Sequence, residues 1–278
     1  MVGCEALVRW RHAQKGLIPP NEFIPVAERT GLIRAVTSWV LGAAFRQLRR
    51  WQEEALAIDV SINVSPADLA DPAFADTIAV LLAQTGAEAT RIVLEVTESG
   101  AMKDLPNTLR MMEQLRVLGI RFSIDDFGTG YSSLAHLRRL PVDEIKIDRS
   151  FIRELEARGT DDVIVRSTIN LGHALGLKVV AEGVEVPASW NVLEDLGCDL
   201  VQGYYVAKPM AAAEFTAWAS ARMPAPGRPA VSRAAAGAQM SACPIDLCPV
   251  GDSSPFETGD VRGERQSAAQ VAGRDRRR

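Results

Sequence analysis

The strongest constraint on the fold is a repeated switch between two hydrophobic periods, running from the first residues to about residue 220. Short stretches with apolar residues at every second position alternate with longer ones whose apolar residues recur every three to four. That order predicts a parallel sheet or barrel with helices outside it. Strands are expected from Gly3 to Val8, Asp59 to Val64, Ile92 to Val96, Arg121 to Asp125, Glu144 to Ile147, Lys178 to Ala181 and Leu200 to Gly203. Helices are expected from Asn21 to Glu28, Ile33 to Glu54, Asp104 to Leu118, Ser132 to Arg138, Asp161 to Leu175 and Pro187 to Leu196. Leu105, Leu109, Met112, Leu115 and Leu118 mark one apolar stripe of this kind, read as core.

A chain of 278 residues with 47% apolar content can bury one large core. We expect one domain over 1–221, followed by a disordered tail over 222–278, where Ala, Gly, Pro, Arg and Ser dominate without periodicity. A net charge of −4 and a pI near 5.6 argue against a binder of nucleic acid polymers, which needs a basic face. No apolar run is long enough to span a membrane and no leader pattern opens the chain, so a cytoplasmic, membrane-free protein is expected. Cys4 and Cys198 sit among apolar residues and read as reduced core thiols, and Cys243 and Cys248 lack the second pair a zinc site needs.

Chemistry concentrates where the strands end. The stretch 121–133 runs a strand into Asp125 and Asp126 and then into a glycine-rich loop, and adjacent carboxylates repel unless a cation or a proton separates them. If the apolar residues of each strand face the helices, alternation directs Glu5, Asn63, Glu95, Asp125, Lys146, Glu182 and Gln202 into the mouth of the barrel. Four carboxylates and an amide oxygen form an all-oxygen donor set suited to Mg²⁺ or Mn²⁺. Two such ions would activate a water and stabilise both the attacking and leaving oxygens of a phosphoester.

These residues lie in ordered motifs: Glu5-Ala6-Leu7, Asn63-Val64-Ser65, Glu95-Val96-Thr97-Glu98, Asp125-Asp126-Phe127-Gly128, Lys146-Ile147-Asp148, Ala181-Glu182-Gly183-Val184-Glu185 and Gln202-Gly203-Tyr204. Together they resemble the signature of the bacterial EAL domain, the phosphodiesterase that linearises cyclic di-GMP. The resemblance implies an α/β fold, a TIM-like (β/α)8 barrel of the EAL type, with one strand ahead of Glu5 that the four preceding residues cannot supply. It implies two ions, Mg²⁺ or Mn²⁺, held by Glu5, Asn63, Glu95, Asp125 and Asp126. It makes Lys146, Glu182 and Glu5 the catalytic group and places Leu7, Arg9 and Gln202 at the cyclic dinucleotide. Glu98 and Glu185 would support the site, Glu98 by positioning the loop from Phe127 to Ser133; a homodimer is expected, with that loop coupling metal binding to dimerisation. The expected product is linear pGpG. Two alternatives stand beside hydrolysis: a catalytically inactive cyclic di-GMP receptor, and a fragment that does not fold alone.

Overall fold

The computed structural model describes residues 3–130, 134–153, 155, 160–222, 239–240 and 245–247. β1 (Gly3–Val8) leads through a hairpin of β2 (Trp10–His12) and β3 (Gly16–Ile18) to α1 (Pro20–Thr30) and α2 (Ile33–Glu53). β4 (Asp59–Asn63), α3 (Pro66–Leu69), α4 (Phe74–Thr85), β5 (Ile92–Thr97), α5 (Glu98–Met102), α6 (Leu105–Val117) and β6 (Arg121–Phe127) follow. Then come α7 (Leu134–Leu137), β7 (Glu144–Ile147), α8 (Arg149–Arg153), α9 (Thr160–Ala174), β8 (Lys178–Ala181), α10 (Pro187–Asp195), β9 (Leu200–Val201), β10 (Met210–Ala211) and α11 (Ala212–Ser220).

β1, β4, β5, β6, β7, β8 and β9 are neighbours in that order, each pair parallel. This is the curled parallel sheet of a TIM-like barrel, open among the described residues because the strand order has two ends. The alternation read from the sequence holds. Ile62, Leu94, Val96, Phe122, Ile124, Ile145, Ile147, Val179 and Ala181 belong to the buried core against the helices, which leaves the intervening residues for the barrel interior.

The helices cover that face with one stripe each. On α2, Leu41, Phe45, Leu48 and Trp51 are buried at helical spacing. Trp51 also joins α2 to α11: its Nε1 donates to Thr216 Oγ1 at 2.7 Å, and its ring lies 5.1 Å from that of Phe215. The first long helix and the last thereby pack together although the strands beneath them do not close a ring.

Two short strands fall within the stretch 222–278, which carries no periodicity. β11 (Gln239–Met240) pairs with β9 at one end of the sheet, and β12 (Ile245–Leu247) lies between β10 and β1, parallel to both. β12 meets β1 over Ala6–Val8 and so covers backbone groups that an edge strand would otherwise expose. The rest of that stretch, including Cys243 and Cys248, lies outside the described residues. Cys4 and Cys198 are buried and form no disulfide, as expected. Among the described residues no helix is long and apolar enough to cross a membrane.

Candidate metal centre at the strand ends

Successive parallel strands present their C-terminal ends at one rim, and the register fixes which side chains meet there. Glu5 stands opposite Ser61 on β4, and Asn63 opposite Glu95 on β5. Asn63 Nδ2 donates to Glu5 Oε1 at 2.7 Å and Gln202 Nε2 donates to Glu5 Oε2 at 2.5 Å. Glu5 is therefore gripped from both sides of the rim, and the Asn63 Oδ1 remains as an acceptor toward a cation.

Lys146 on β7 stands at the centre. Its side chain is 2% exposed, and its ammonium lies 2.9 Å from Glu95, 3.5 Å from Asp125 and 4.0 Å from Glu5, with Glu182 closest of all. One cation thus faces four carboxylates, an excess of negative charge at a largely buried site. Burial pushes the lysine pKa down, but the attraction of Glu182, Glu95, Glu5 and Asp125 outweighs it and holds the ammonium well above its ordinary value. Burial pushes Glu95 well up, and repulsion from Glu5, Asp125 and Glu182 adds to this against the pull of Lys146. Burial likewise raises Glu182 to about 7, with Asp125 and Glu5 contributing and Lys146 opposing.

The two adjacent aspartates are brought together by a backbone irregularity. β6 shifts register against β7 between Ile124 and Phe127, a bulge at which Asp126 takes a left-handed φ of 54°. Asp tolerates that region better than most residues do. Instead of pointing to opposite faces of a flat strand, Asp125, Asp126 and Glu182 each place an oxygen within 4.8 Å of the others. Burial raises Asp126 to about 6, helped by the charge of Asp125 and by the charge of, and a hydrogen bond with, Asp148. Asp148 ends the Lys-Ile-Asp motif, and its part here is a feature the strand alternation did not single out.

The donor set fits hard divalent cations. All the candidate ligand atoms are oxygens, and Asp125, Asp126 and Glu182 each bring one within 4.8 Å of the others. Burial is the main cause of the raised carboxylate pKa values, and repulsion between the carboxylates adds to it. Their sign gives a prediction for the metal-free protein. Because the folded pKa of Glu182 and Asp126 exceeds the unfolded one, stability is fullest below about pH 4 for these groups and is lost as pH rises through 6 and 7. A fall in unfolding free energy on the order of 2–3 kcal/mol between pH 5 and pH 8 is expected, most of it from the more deeply buried Glu182. Denaturant melts across that range check it, and added Mg²⁺ should flatten the curve.

The other expected residues fall around this centre. Glu98 Oε2 accepts from the Gly128 amide at 3.0 Å, and a side chain on Gly130 would lie 3.1 Å from the same carboxylate, so Glu98 touches the start of the loop after β6. Residues 131–133 of that loop lie outside the described residues. Leu7 and Arg9 continue the inward face of β1 toward the rim, both half-buried, and Arg9 Nη1 donates to Val8 O at 3.0 Å. Glu185 is not brought to the cluster; it is exposed, its carboxylate 4.0 Å from Arg153. Gln202 is positioned by the glycine after it: Gly203 has φ 156°, and a Cβ there would lie 2.2 Å from Val184 O. Gly203→Ala should therefore push β9 away from the loop after β8 and release Gln202 from Glu5, costing on the order of 3 kcal/mol of stability. A thermal melt with an unchanged midpoint would contradict this.

Fold and site together define a parallel β/α barrel-like sheet with an acidic cluster at its strand ends. The EAL domain model matches residues 1–209, and the chain belongs to the EAL domain family. It is 46% identical over 218 residues to the bifunctional diguanylate cyclase/cyclic di-GMP phosphodiesterase MucR of Pseudomonas aeruginosa, an alignment covering 78% of this chain and 32% of MucR. It is 45% identical over 209 residues to the cyclic di-GMP phosphodiesterase NbdA of the same organism, covering 74% of this chain and 26% of NbdA. The chain thus spans about a third or less of the curated relatives it matches. Among solved structures, the MucR phosphodiesterase in complex with c-di-GMP superposes with a TM-score of 0.71 at 47% identity, over 73% of this chain and 83% of that one.

Proposed function

We propose that this chain is a divalent-cation-dependent phosphodiesterase that hydrolyses one phosphodiester bond of cyclic di-GMP and releases linear pGpG. The observation that carries the reading is the convergence of Glu5, Glu95, Asp125 and Glu182 on a single buried ammonium. The naming of its relatives as cyclic di-GMP phosphodiesterases supports the substrate.

Glu5, Asn63, Glu95, Asp125 and Asp126 would hold Mg²⁺ or Mn²⁺. Bound there, such ions supply the charge that polarises the phosphoester and lowers the pKa of a water. The chain's own residues do the rest. Lys146, fixed among Glu95, Asp125 and Glu182, orients that water and adds charge beside the phosphate. Glu182, raised to about 7, is poised to take a proton near neutral pH. Arg9 pairs with a phosphate or stacks on guanine through its planar cation. Gln202 keeps Glu5 aimed into the site. Water attacks phosphorus as one of its protons passes to the site, the P–O3′ bond breaks, and the leaving 3′-oxygen takes up a proton from the site or from solvent, so that the product carries a 5′-phosphate and a free 3′-hydroxyl.

The rival reading is a receptor that binds cyclic di-GMP without cutting it, for which loss of a cation ligand would be the expected mark; every position in the set keeps its oxygen donor. Incubating the purified protein with cyclic di-GMP and Mg²⁺ and separating the nucleotides by chromatography distinguishes the two. Linear pGpG is the expected result. Tight binding with no product over many hours would replace the hydrolase by the receptor.

A further inference from the structure

Resting on that reading, we propose that Asp68, together with Thr37, is a positioning residue for the metal centre, acting through the turn that follows Asn63. Asp68 is 2% exposed and lies outside the carboxylate cluster. Its Oδ2 accepts three hydrogen bonds, from Thr37 Oγ1 at 2.8 Å, from the Ser65 amide at 2.8 Å and from Ser65 Oγ at 2.7 Å. A carboxylate oxygen that accepts three hydrogen bonds fixes the groups that donate to it. The turn it fixes begins two residues after Asn63, and α3, four residues long, is too short to hold its own conformation. Thr37 belongs to the long helix α2, so the turn is anchored to a 21-residue element packed into the core.

The same turn is the surface on which α5 is seated. Pro66 packs so closely on Gly100 that a Cβ on that glycine would lie 3.0 Å from Pro66 Cγ and 2.7 Å from Thr97 Oγ1. Gly100 amide in turn donates to Thr97 Oγ1 at 3.2 Å, which caps α5. α5 begins at Glu98, whose carboxylate holds the Gly128 amide just beyond Asp125 and Asp126. Asp68 therefore sets two parts of the cation site at once: Asn63 directly upstream, and the loop after β6 by way of Pro66, Gly100 and Glu98. A purely structural cap would stabilise α3 and leave cation binding alone.

The variants Asp68→Asn and Thr37→Val separate these roles. Asn keeps the shape but loses the charge and turns either an amide group or a weaker acceptor toward the three donors; Val keeps the branching of Thr and removes one bond. Mn²⁺ binding to each protein is measured by calorimetry without nucleotide, beside its urea midpoint and the exchange rate of the Gly128 amide. The expected result is Mn²⁺ affinity about tenfold or more weaker in Asp68→Asn and a few-fold weaker in Thr37→Val, with faster exchange at Gly128 in both. Lower midpoints with unchanged Mn²⁺ affinity and unchanged exchange would overturn the inference. If Asp68→Asn does not fold, Thr37→Val decides alone by the same two readouts. Failure of the parent protein to bind Mn²⁺ would overturn the metal reading itself, and this inference with it.

Discussion

Replacing Lys146 with Met is expected to destabilise the metal-free protein by roughly 3–5 kcal/mol, the range for removing one partner of a buried ion pair and stranding the other. Here several partners are stranded: Glu95, Asp125 and Glu182 all lie within 3.5 Å of the ammonium. Met matches the length of the lysine stem, so packing is largely kept and the loss reports on charge. Without Lys146 the carboxylates lose the ammonium they converge on, and Mg²⁺ should restore more of the unfolding midpoint in the variant than in the parent. Urea melts with and without Mg²⁺ check this. Equal midpoints for both proteins in the absence of metal would mean that the lysine does not carry the compensation described here.

The second large effect is at Asp125. Asp125→Asn keeps the Oδ1 that accepts from the Asp126 amide at 3.0 Å, so the bulge in β6 should survive. It removes a negative charge that raises Glu95, Asp126 and Glu182, and the metal-free fold should be no less stable than the parent. Hydrolysis of cyclic di-GMP should fall by more than the ~10–100-fold that loss of a group behind the metal ligands typically costs. Steady-state rates at saturating Mg²⁺, set beside thermal melts, test the pair of expectations. Turnover within a few-fold of the parent would remove Asp125 from the cation site.

The seven strands and the inward set were legible because both depend on a period of two that burial enforces: Glu95 between Leu94 and Val96, and Lys146 between Ile145 and Ile147, could point only one way. The strand from Arg121 runs two residues further than expected, to Phe127, because the bulge at Asp125 and Asp126 keeps the chain in the sheet where the two acids suggested a turn. α4 escaped the reading since Phe74-Ala-Asp-Thr-Ile-Ala-Val-Leu-Leu-Ala-Gln-Thr85 is apolar on nearly every side and shows no stripe, though only Phe74 and Ile78 are fully buried. The hairpin of β2 and β3 and the Asp68 clamp were hidden for another reason. Their residues are ordinary in sequence: the hairpin shows only in the pairing of Trp10–His12 with Gly16–Ile18, and the clamp only in the packing of the turn on α2 and α5. Glu185 shows the opposite case, a motif acid that the fold leaves in solvent beside Arg153.

The account rests on divalent cations seated among the acids at the strand ends, and diffraction from crystals soaked in Mn²⁺, recorded at the manganese edge, examines that directly. Anomalous peaks within coordination distance of Glu5, Asn63, Glu95, Asp125 and Asp126, with Lys146 beside them, are the predicted result. Fully occupied manganese elsewhere on the protein, with this cluster still closed on Lys146 alone, would contradict it.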